Sequence, residues 1–268
     1  MPIHPTAIVD PQAEIDTSAE IGPYVVVAGP VRVGPRTRVM AGAYLTGDTR
    51  IGADNLIHPG AVIGHEPQHL AYTGAPTGLR IGDRNVLREH AEVHRALEPG
   101  AWTEIGDNNF LMSHAHVAHD CRVGNRTIMA TGAALGGHVI LEYQAFVSGN
   151  CVVHQHARVG RLAIMQGLSR ASSDVPPFGI LDATQRIRGL NRVGLRRAGF
   201  DRERIATLAA AFRILFRVRT NLREAMARVE AEVHSPDVDY LLAFIRASRR
   251  GVAQGPQRRE AAAADADD

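Results

Sequence analysis

The chain has 268 residues, of which 45% are hydrophobic and 22% are charged, a composition typical of a soluble globular protein. We expect a cytoplasmic protein without a membrane span, because the chain has no stretch of 18 apolar residues and its N-terminus has no secretory pattern. All 30 basic residues are arginines, which excludes lysine-dependent chemistry such as Schiff-base formation. The only cysteines, Cys121 and Cys151, lack metal-binding spacing and are expected to be small buried residues.

An aliphatic residue recurs at every sixth position through the first two thirds of the chain. The series covers residues 3–63, resumes over 81–93 and resumes again over 105–165. Neither an α-helix nor a simple alternating strand has this period. A short strand followed by a sharp turn does, with one inward aliphatic side chain per strand stacking on its neighbours. The pattern therefore predicts an all-β solenoid of hexapeptide repeats over residues 1–188.

Two segments interrupt the repeat, at residues 64–80 and 95–103. Both contain glycine and proline and lack the inward aliphatic residues. We expect them to be loops that leave the solenoid, and such loops often carry functional residues.

The last third of the chain has helical patterns, which predict a C-terminal α-helical domain over residues 189–250. Asp201 is the expected N-cap of a helix that runs to Arg219. A second helix is expected over residues 222–233. A third is expected to begin at Ser235-Pro236, where a capping residue precedes a proline at the first helical position.

The C-terminal region is also basic. Residues 182–250 contain fifteen arginines and eight acidic residues. This surface could receive an acidic protein or a phosphorylated ligand, or it could simply be solvated. The tail, residues 251–268, is expected to be disordered because it is rich in alanine and charge.

The repeat resembles that of the hexapeptide acyltransferases. The resemblance implies a left-handed parallel β-helix with about 18 residues per coil, and a homotrimer. The period by itself does not set the hand of the coil.

Thirteen histidines are present, and several fall close together just before Cys121. With 18 residues per coil, residues that far apart in sequence should stack in columns. The predicted columns contain His119, Gly137 and Gln155 in one and Asp120, His138 and His156 in the next.

These residue types suit acyl transfer. A neutral histidine can take a proton from a hydroxyl nucleophile, and a neighbouring carboxylate can fix its tautomer. A glycine lets a backbone N–H approach the developing oxyanion. A competing interpretation remains open, because histidines shared between subunits of such solenoids can also bind zinc for a hydratase reaction.

Several longer strings are more specific than the repeat. They are residues 116–126 (HVAHDCRVGNR), 136–139 (GGHV), 153–155 (VHQ), 174–177 (DVPP) and 189–200 (GLNRVGLRRAGF). In these strings the chain resembles the UDP-N-acetylglucosamine O-acyltransferases, which begin lipid A biosynthesis. The resemblance covers nearly the whole chain, including its helical end.

The resemblance implies a role for each candidate residue. His119 would be the general base, Asp120 would orient it, and the Gly137 N–H would stabilise the oxyanion. Ile164 and Gly167 would lie beside the acyl tail, where glycine leaves room for a longer chain. The residues implied in binding the substrates are His69, His116, His138, His154, Gln155, Asn191, Arg196 and Arg197.

The implied reaction moves an (R)-3-hydroxyacyl group from acyl carrier protein to the 3-position of UDP-N-acetylglucosamine. Acyl carrier protein and the nucleotide sugar would thus be the partners of a homotrimer. We expect no cofactor, no metal site and no nucleic-acid partner.

The chain departs from the family pattern at residues that contact the sugar nucleotide. His69 stands where the pattern has aspartate, and Ala71 where it has lysine. Val193 and Ala198 replace residues that are often glutamate and arginine, and the segment 182–185 is also altered. A paralogous acyltransferase with a different nucleotide-sugar or amino-sugar acceptor therefore remains an alternative. An inactive scaffold remains another.

Overall fold

The computed structural model describes residues 3–256 except residue 219. Within them, strands of two to four residues alternate with short turns, as the period of six requires. In chain order the strands are β1 (Ile8–Val9), β2 (Glu14–Ile15), β3 (Glu20–Ile21), β4 (Val26–Ala28), β5 (Arg32–Val33), β6 (Arg38–Val39), β7 (Tyr44–Thr46), β8 (Asp48–Ile51), β9 (Leu56–Ile57), β10 (Val62–His65), β11 (Gly78–Ile81), β12 (Val86–Leu87), β13 (Glu92–His94), β14 (Trp102–Ile105), β15 (Phe110–Leu111), β16 (His116–Val117), β17 (Arg122–Val123), β18 (Ile128–Met129), β19 (Ala134–Leu135), β20 (Ile140–Leu141), β21 (Phe146–Val147), β22 (Val152–Val153), β23 (Arg158–Val159), β24 (Ile164–Met165), β25 (Arg170–Ala171), β26 (Gly179–Leu181) and β27 (Ile187–Leu190).

Successive strands join three sheets in rotation. Face 1 contains every third strand from β1 to β25, face 2 those from β2 to β23, and face 3 those from β3 to β24, followed by β26 and β27. All neighbours pair in parallel except β27, which is antiparallel to β26. Ile8 pairs with Val26, 18 positions later, so one coil takes one strand from each face. The predicted left-handed parallel β-helix is confirmed.

The inward aliphatic residues of the repeat form the core. Ile57, Leu87 and Leu111 stack in neighbouring coils and are all 0% exposed. A second inward position, at the turn, takes small residues such as Ala91 and Ala115, because the corner of the coil has little room.

From residue 24 onward, most turns of the β-helix carry a residue in the left-handed backbone region at a position that is a multiple of six. Among the described residues, fifteen such positions are not glycine. Asp120, His138 and His156 are three of them, with φ of 58°, 60° and 62°. This conformation is costly for most L-residues, so the recurring turn imposes it and fixes the direction of each side chain.

Both loops leave the helix where face 1 turns into face 2, which we call the 1–2 corner. They span residues 66–77 and 95–101, slightly less than expected, because β10, β11 and β14 extend into the predicted segments. Ile63 pairs with Val93, 30 positions later, and Val93 pairs with Val117, 24 positions later. The loops thus add 12 and six residues to a plain coil of 18, and the phase of the repeat survives both.

Four helices follow in the described part of the chain: α1 (Arg192–Arg197), α2 (Arg202–Phe216), α3 (Leu222–Glu232) and α4 (Pro236–Arg246). Asp201 and Ser235 cap α2 and α4 as expected, since each side chain accepts a backbone N–H. The structure differs from the sequence-based prediction in two respects. Helix α2 ends at Phe216 instead of Arg219, and the short helix α1 was not predicted. No helix among the described residues is long and apolar enough to cross a membrane.

Hydrogen bonds between charged and polar side chains hold the helices against the last coils. The buried carboxylate of Asp237, on α4, accepts hydrogen bonds from Arg161 of the β-helix at 2.7 Å and from Arg204 of α2. The hydroxyl of Tyr240 donates to Glu142 at 2.5 Å. Because these pairs are partly or fully buried, they set the helical end in a defined position.

The beginning of the C-terminal tail is ordered, contrary to expectation. Val252 and Ala253 are buried, and Asp174 exchanges backbone hydrogen bonds with Gly251 and Ala253. The extended segment is held by backbone pairing, which composition does not reveal. The remainder of the predicted disordered tail, residues 257–268, lies outside the described residues.

Candidate active site

Three successive turns of the 1–2 corner stack directly on one another. They are residues 118–121, 136–139 and 154–157, which follow β16, β19 and β22. The N–H of His138 donates to the carbonyl of His119 at 3.0 Å, and the N–H of His156 donates to Gly137 at 2.9 Å. The columns expected from the sequence are therefore present.

His119 and Asp120 form a buried hydrogen-bonded pair in the first of these turns. His119 is 7% exposed, and its Nδ1 lies 2.7 Å from Asp120 Oδ2. An ionised carboxylate only accepts hydrogen bonds, so Nδ1 carries the proton and Nε2 keeps the lone pair. Asp120 is itself held by the N–H of Leu97 at 3.1 Å and by its own N–H on Thr103 at 2.8 Å.

Gly137 lies against the imidazole of His119. A β-carbon at position 137 would stand 2.5 Å from Cε1 and 2.7 Å from Nε2 of that ring. No described residue accepts a hydrogen bond from the Gly137 N–H. The absence of a side chain therefore lets an uncommitted backbone donor stand beside the basic nitrogen.

His138 and His156 extend the cluster along the corner. The ring of His138 meets His119 edge-on at 5.3 Å and stacks on His156 at 4.5 Å. Its Nε2 is 3.8 Å from Asp120 Oδ2. Burial lowers the pKa of His138, and the neighbouring histidines act in the same direction against Asp120. Burial thus favours the neutral ring of His138 in this wall of the site.

The first loop brings His69 to the same place. Its ring meets His119 edge-on, with 5.3 Å between centroids. The loop is anchored by Arg95, which donates to the carbonyl of Gly64 and to the hydroxyl of Tyr72. The departure from the family pattern at His69 therefore lies next to the candidate base. Ala71 is close to His69, since its N–H donates to His69 Nδ1 at 3.2 Å.

His116 points away from this corner and lies on face 1. Its Nδ1 is 3.2 Å from Glu92 Oε2, and its ring is 5.1 Å from that of His94. Neither Glu92 nor His94 was found by the column argument. The second loop lies between them and His116, so the columns are 24 residues apart here instead of 18.

The remaining substrate-binding candidates of the β-helix are His154 and Gln155. Both are exposed in the third turn of the 1–2 corner. The Nδ1–H of His154 donates to the carbonyl of Gln155 at 3.1 Å, which leaves the amide side chain of Gln155 available to a ligand.

Asn191, Arg196 and Arg197 belong to α1, at the helical end. Asn191 already has a structural role, because its side chain caps α1 through Gly194 and donates to the carbonyl of Leu162 at 2.8 Å. Leu162 lies in a turn between faces 2 and 3, so α1 is attached at a different corner from His119. Arg196 and Arg197 are exposed.

The acyl-chain candidates also lie elsewhere in the protomer. Ile164 is on face 3, and Gly167 is exposed in the turn from face 3 to face 1. A single chain therefore brings together His69, His119, Asp120, Gly137, His138, His154 and Gln155, and it does not bring Ile164, Gly167, Arg196 or Arg197 to the same corner.

Comparison with known proteins gives a consistent result. The family model described as UDP N-acetylglucosamine O-acyltransferase, domain 2, matches residues 174–253. The model of bacterial transferase hexapeptide repeats matches residues 30–65 and 103–137.

Relatives match over nearly the full length. An acyl-[acyl-carrier-protein]--UDP-N-acetylglucosamine O-acyltransferase from Thermodesulfovibrio yellowstonii is 44% identical over 93% of this chain and 98% of its own length. The UDP-N-acetylglucosamine acyltransferase structure from Bacteroides fragilis has a TM-score of 0.91 at 38% identity, covering 94% of this chain and 100% of that one. The corresponding structure from Francisella novicida has a TM-score of 0.91 at 32% identity, covering 95% of both chains. This chain is a member of the UDP-N-acetylglucosamine O-acyltransferase family.

Proposed function

We propose that this protein transfers an (R)-3-hydroxyacyl group from acyl carrier protein to the 3-hydroxyl of UDP-N-acetylglucosamine, in the cytoplasm, as a step in lipid A biosynthesis. The observation that carries the proposal is the arrangement of His119, Asp120 and Gly137 at one corner. A basic nitrogen of fixed tautomer stands beside an uncommitted backbone N–H. The names and high coverage of the relatives support the donor and the acceptor.

The proposed reaction follows from that geometry. His119 Nε2 takes the proton of the sugar hydroxyl as the oxygen attacks the thioester carbonyl. The Gly137 N–H stabilises the resulting oxyanion. The C–S bond then breaks, the thiol of the carrier leaves with the proton held by His119, and the ester remains on the sugar. Asp120 keeps Nδ1 protonated and stabilises the imidazolium between the two transfers.

We propose that the complete site is formed by more than one chain and that the protein is a homotrimer. In one protomer, Ile164 on face 3, Gly167 in the turn that follows it, and the helix α1 that carries Arg196 and Arg197 all lie away from the corner of His119. Three copies around a parallel axis would bring different corners together, so that one copy supplies the base and another lines the acyl tail. Exposed arginines at the helical end would suit an acidic carrier protein.

The trimer can be tested by complementation. Chains with His119→Ala and chains with Gly167→Met are co-expressed with different affinity tags and purified as mixed oligomers. A shared site restores activity toward the long acyl donor in the mixture above that of either variant. A monomer in light scattering that retains full activity would contradict the shared site.

A related nucleotide sugar is a second candidate for the acceptor. His69, which replaces the aspartate of the family pattern, touches the candidate base. Arg80 does not offer a replacement for the missing lysine, because it stacks on Trp102 at 4.0 Å and pairs with Glu104 at 3.5 Å. The part of the site where the sugar would lie therefore differs in charge from the family pattern.

The function is tested with a panel of nucleotide sugars and carrier-bound 3-hydroxyacyl chains. We expect His119→Ala to lower kcat/KM by about 10²- to 10⁴-fold, the contribution of a positioned base. His114→Ala is the matched control, since His114 stacks on His90 at a different corner, between β15 and β16. Near-normal turnover by His119→Ala would overturn the assignment of the base.

A further inference from the structure

Three side chains with metal-ligand chemistry converge on face 1, beside the active-site corner. Glu92 and His94 come from β13, and His116 comes from β16. Glu92 Oε2 is 3.2 Å from His116 Nδ1 and 4.0 Å from His94 Nε2. One ligand atom from each residue lies within 4.8 Å of the other two.

The state of His94 is the unusual feature of this group. Its Nδ1 lies 2.6 Å from the carbonyl oxygen of Glu66, which can only accept, so Nδ1 carries the proton. In the neutral ring Nε2 then has a lone pair and no proton. His94 is 4% exposed, and its Nε2 has no hydrogen-bond partner among the described residues.

A buried lone pair that faces a carboxylate oxygen is unfavourable. An unpaired buried polar atom loses its hydration without compensation, and most such atoms in native proteins have a partner. A bound cation between Nε2 of His94 and the carboxylate of Glu92 would satisfy both groups. At the observed separation of 4.0 Å, no hydrogen bond joins these two groups.

We propose that Glu92, His94 and His116 bind a divalent transition-metal ion of the zinc class. Two imidazoles and one carboxylate are a ligand set that this class prefers. Ligand atoms around a tetrahedral zinc ion are about 3.3 Å apart, given bond lengths of about 2.0–2.1 Å. The 3.2 Å between Glu92 Oε2 and His116 Nδ1 is close to this value, and the ion would replace the proton of that hydrogen bond, leaving the proton of the neutral His116 ring on Nε2. A rotation of Glu92, whose side chain is 45% exposed, would close the distance to His94.

The surroundings of His94 are those expected for a metal ligand. A ligating histidine almost always donates its second ring N–H to a carbonyl or carboxylate, which fixes the ring and makes the other nitrogen more basic. The carbonyl of Glu66 provides this contact. His116 and Glu92 are partly exposed, so a fourth ligand position would face solvent and could hold water or an anionic oxygen.

The neighbouring group of His119, Asp120 and His138 also has its ligand atoms close together. In this group the histidine nitrogen that faces the carboxylate already has a hydrogen bond, because Nδ1 of His119 donates to Asp120 Oδ2, and the same oxygen accepts the N–H of Leu97. The two groups contain the same kinds of side chain, but we expect a bound ion only at Glu92, His94 and His116. The group of His119, Asp120 and His138 therefore provides the control.

The test is metal binding by the full chain after removal of metals with a chelator. Zn²⁺ is added alone, the bound ion is counted by elemental analysis after dialysis, and the affinity is measured by calorimetry. Co²⁺, in a parallel sample, reports a four-coordinate site through its visible absorption. We expect one ion per chain in wild type and in His138→Gln.

Glu92→Gln keeps the shape of an exposed side chain and should lower the affinity at least about tenfold, since even residues that only support a ligand have effects of this size. His94→Gln should do the same, and circular dichroism checks that this buried variant is folded. Absence of a bound ion in wild type would overturn the proposal. So would unchanged binding by Glu92→Gln, or loss of binding by His138→Gln alone. None of these results depends on acyl transfer, so the proposed function stands or falls separately.

Discussion

Two neighbouring groups of side chains each contain two histidines and one carboxylate. The corner group consists of His119, Asp120 and His138, and the face-1 group consists of Glu92, His94 and His116. In the corner group, the carboxylate of Asp120 accepts a hydrogen bond from Nδ1–H of His119, and Nε2 lies beside Gly137. In the face-1 group, the backbone carbonyl of Glu66 accepts a hydrogen bond from Nδ1–H of His94, and Nε2 lies buried opposite the carboxylate of Glu92.

The difference shows that the partner of one ring nitrogen determines the use of the other. A carboxylate partner can stabilise a transient imidazolium, which suits a base. A carbonyl partner fixes the proton on Nδ1, so the lone pair of Nε2 faces the carboxylate without a hydrogen bond, which suits a metal ligand. Residue composition alone does not distinguish the two groups.

The largest effect expected from breaking the corner group, apart from removal of the base itself, comes from Gly137→Ala. The added β-carbon would stand 2.5 Å from the imidazole of His119, so the ring must move. A displacement of about 1 Å can cost about 10²-fold in rate, and we expect kcat to fall by that factor.

The control for this variant is Gly189→Ala, where a β-carbon meets no atom within 4 Å. Steady-state kinetics of both variants provide the measurement. Equal kcat values for wild type and Gly137→Ala would show that the base is not confined by Gly137.

The role of the first loop in binding the acceptor is tested by restoring the family pattern with His69→Asp and Ala71→Lys together. One charged hydrogen bond is worth about 1.5–3 kcal/mol, or about 10- to 100-fold in affinity. If UDP-N-acetylglucosamine is the acceptor, kcat/KM for it should rise within this range. If another nucleotide sugar is the acceptor, the double variant should lose the wild-type preference for it. Identical values on every acceptor would mean that the loop does not select the substrate.

A smaller effect is expected in the pH dependence of stability. Burial holds the pKa of His138 below its ordinary value of 6.5, so the unfolded chain binds this proton first as the pH falls. The stability that neutral His138 contributes is present above that value and is lost as the pH falls from it through the lower pKa of the folded state. The Tm of wild type should therefore fall more steeply than that of His138→Gln as the pH is lowered below 6.5. Parallel curves would contradict this role.

The smallest effect is expected at Cys121, which follows the proposed catalytic pair, His119 and Asp120, in sequence but belongs to neither group. Its thiol donates to the carbonyl of Gly136, and burial raises the pKa of Cys121 to about 12. Burial also raises the pKa of Cys151. A thiol reagent at mildly alkaline pH should leave both cysteines unmodified in the native protein and modify both after denaturation, as measured by mass spectrometry. Rapid labelling of Cys121 in the native protein would contradict this prediction.

Much of the fold could be predicted because the period of six is a property of each coil. The stacking of His119 on Gly137 followed from the same arithmetic, since no loop lies between their coils. His94 and Glu92 could not be found in this way, because a loop changes the spacing to His116. The ordered segment around Val252 was missed for a different reason, since its backbone pairing with Asp174 leaves no pattern in the sequence.

The capping residues Asp201 and Ser235 were predictable because capping is local chemistry. The short helix α1 was not, because six residues that include Gly194 give no helical period. Its N-cap, Asn191, is held by a hydrogen bond to Leu162, 29 positions earlier, and sequence reasoning has no means of finding such a contact.

The two loops of the 1–2 corner show where this protein can change its length without changing its fold. Each loop leaves the coil and returns to the next strand, and the aliphatic side chains of the later coils still point inward. An insertion of five or seven residues within a regular coil would place turn residues in the core. The same insertion within a loop would stay at the surface, so a loop at this corner can be exchanged for a longer or shorter one while the coil that carries His119 keeps its register.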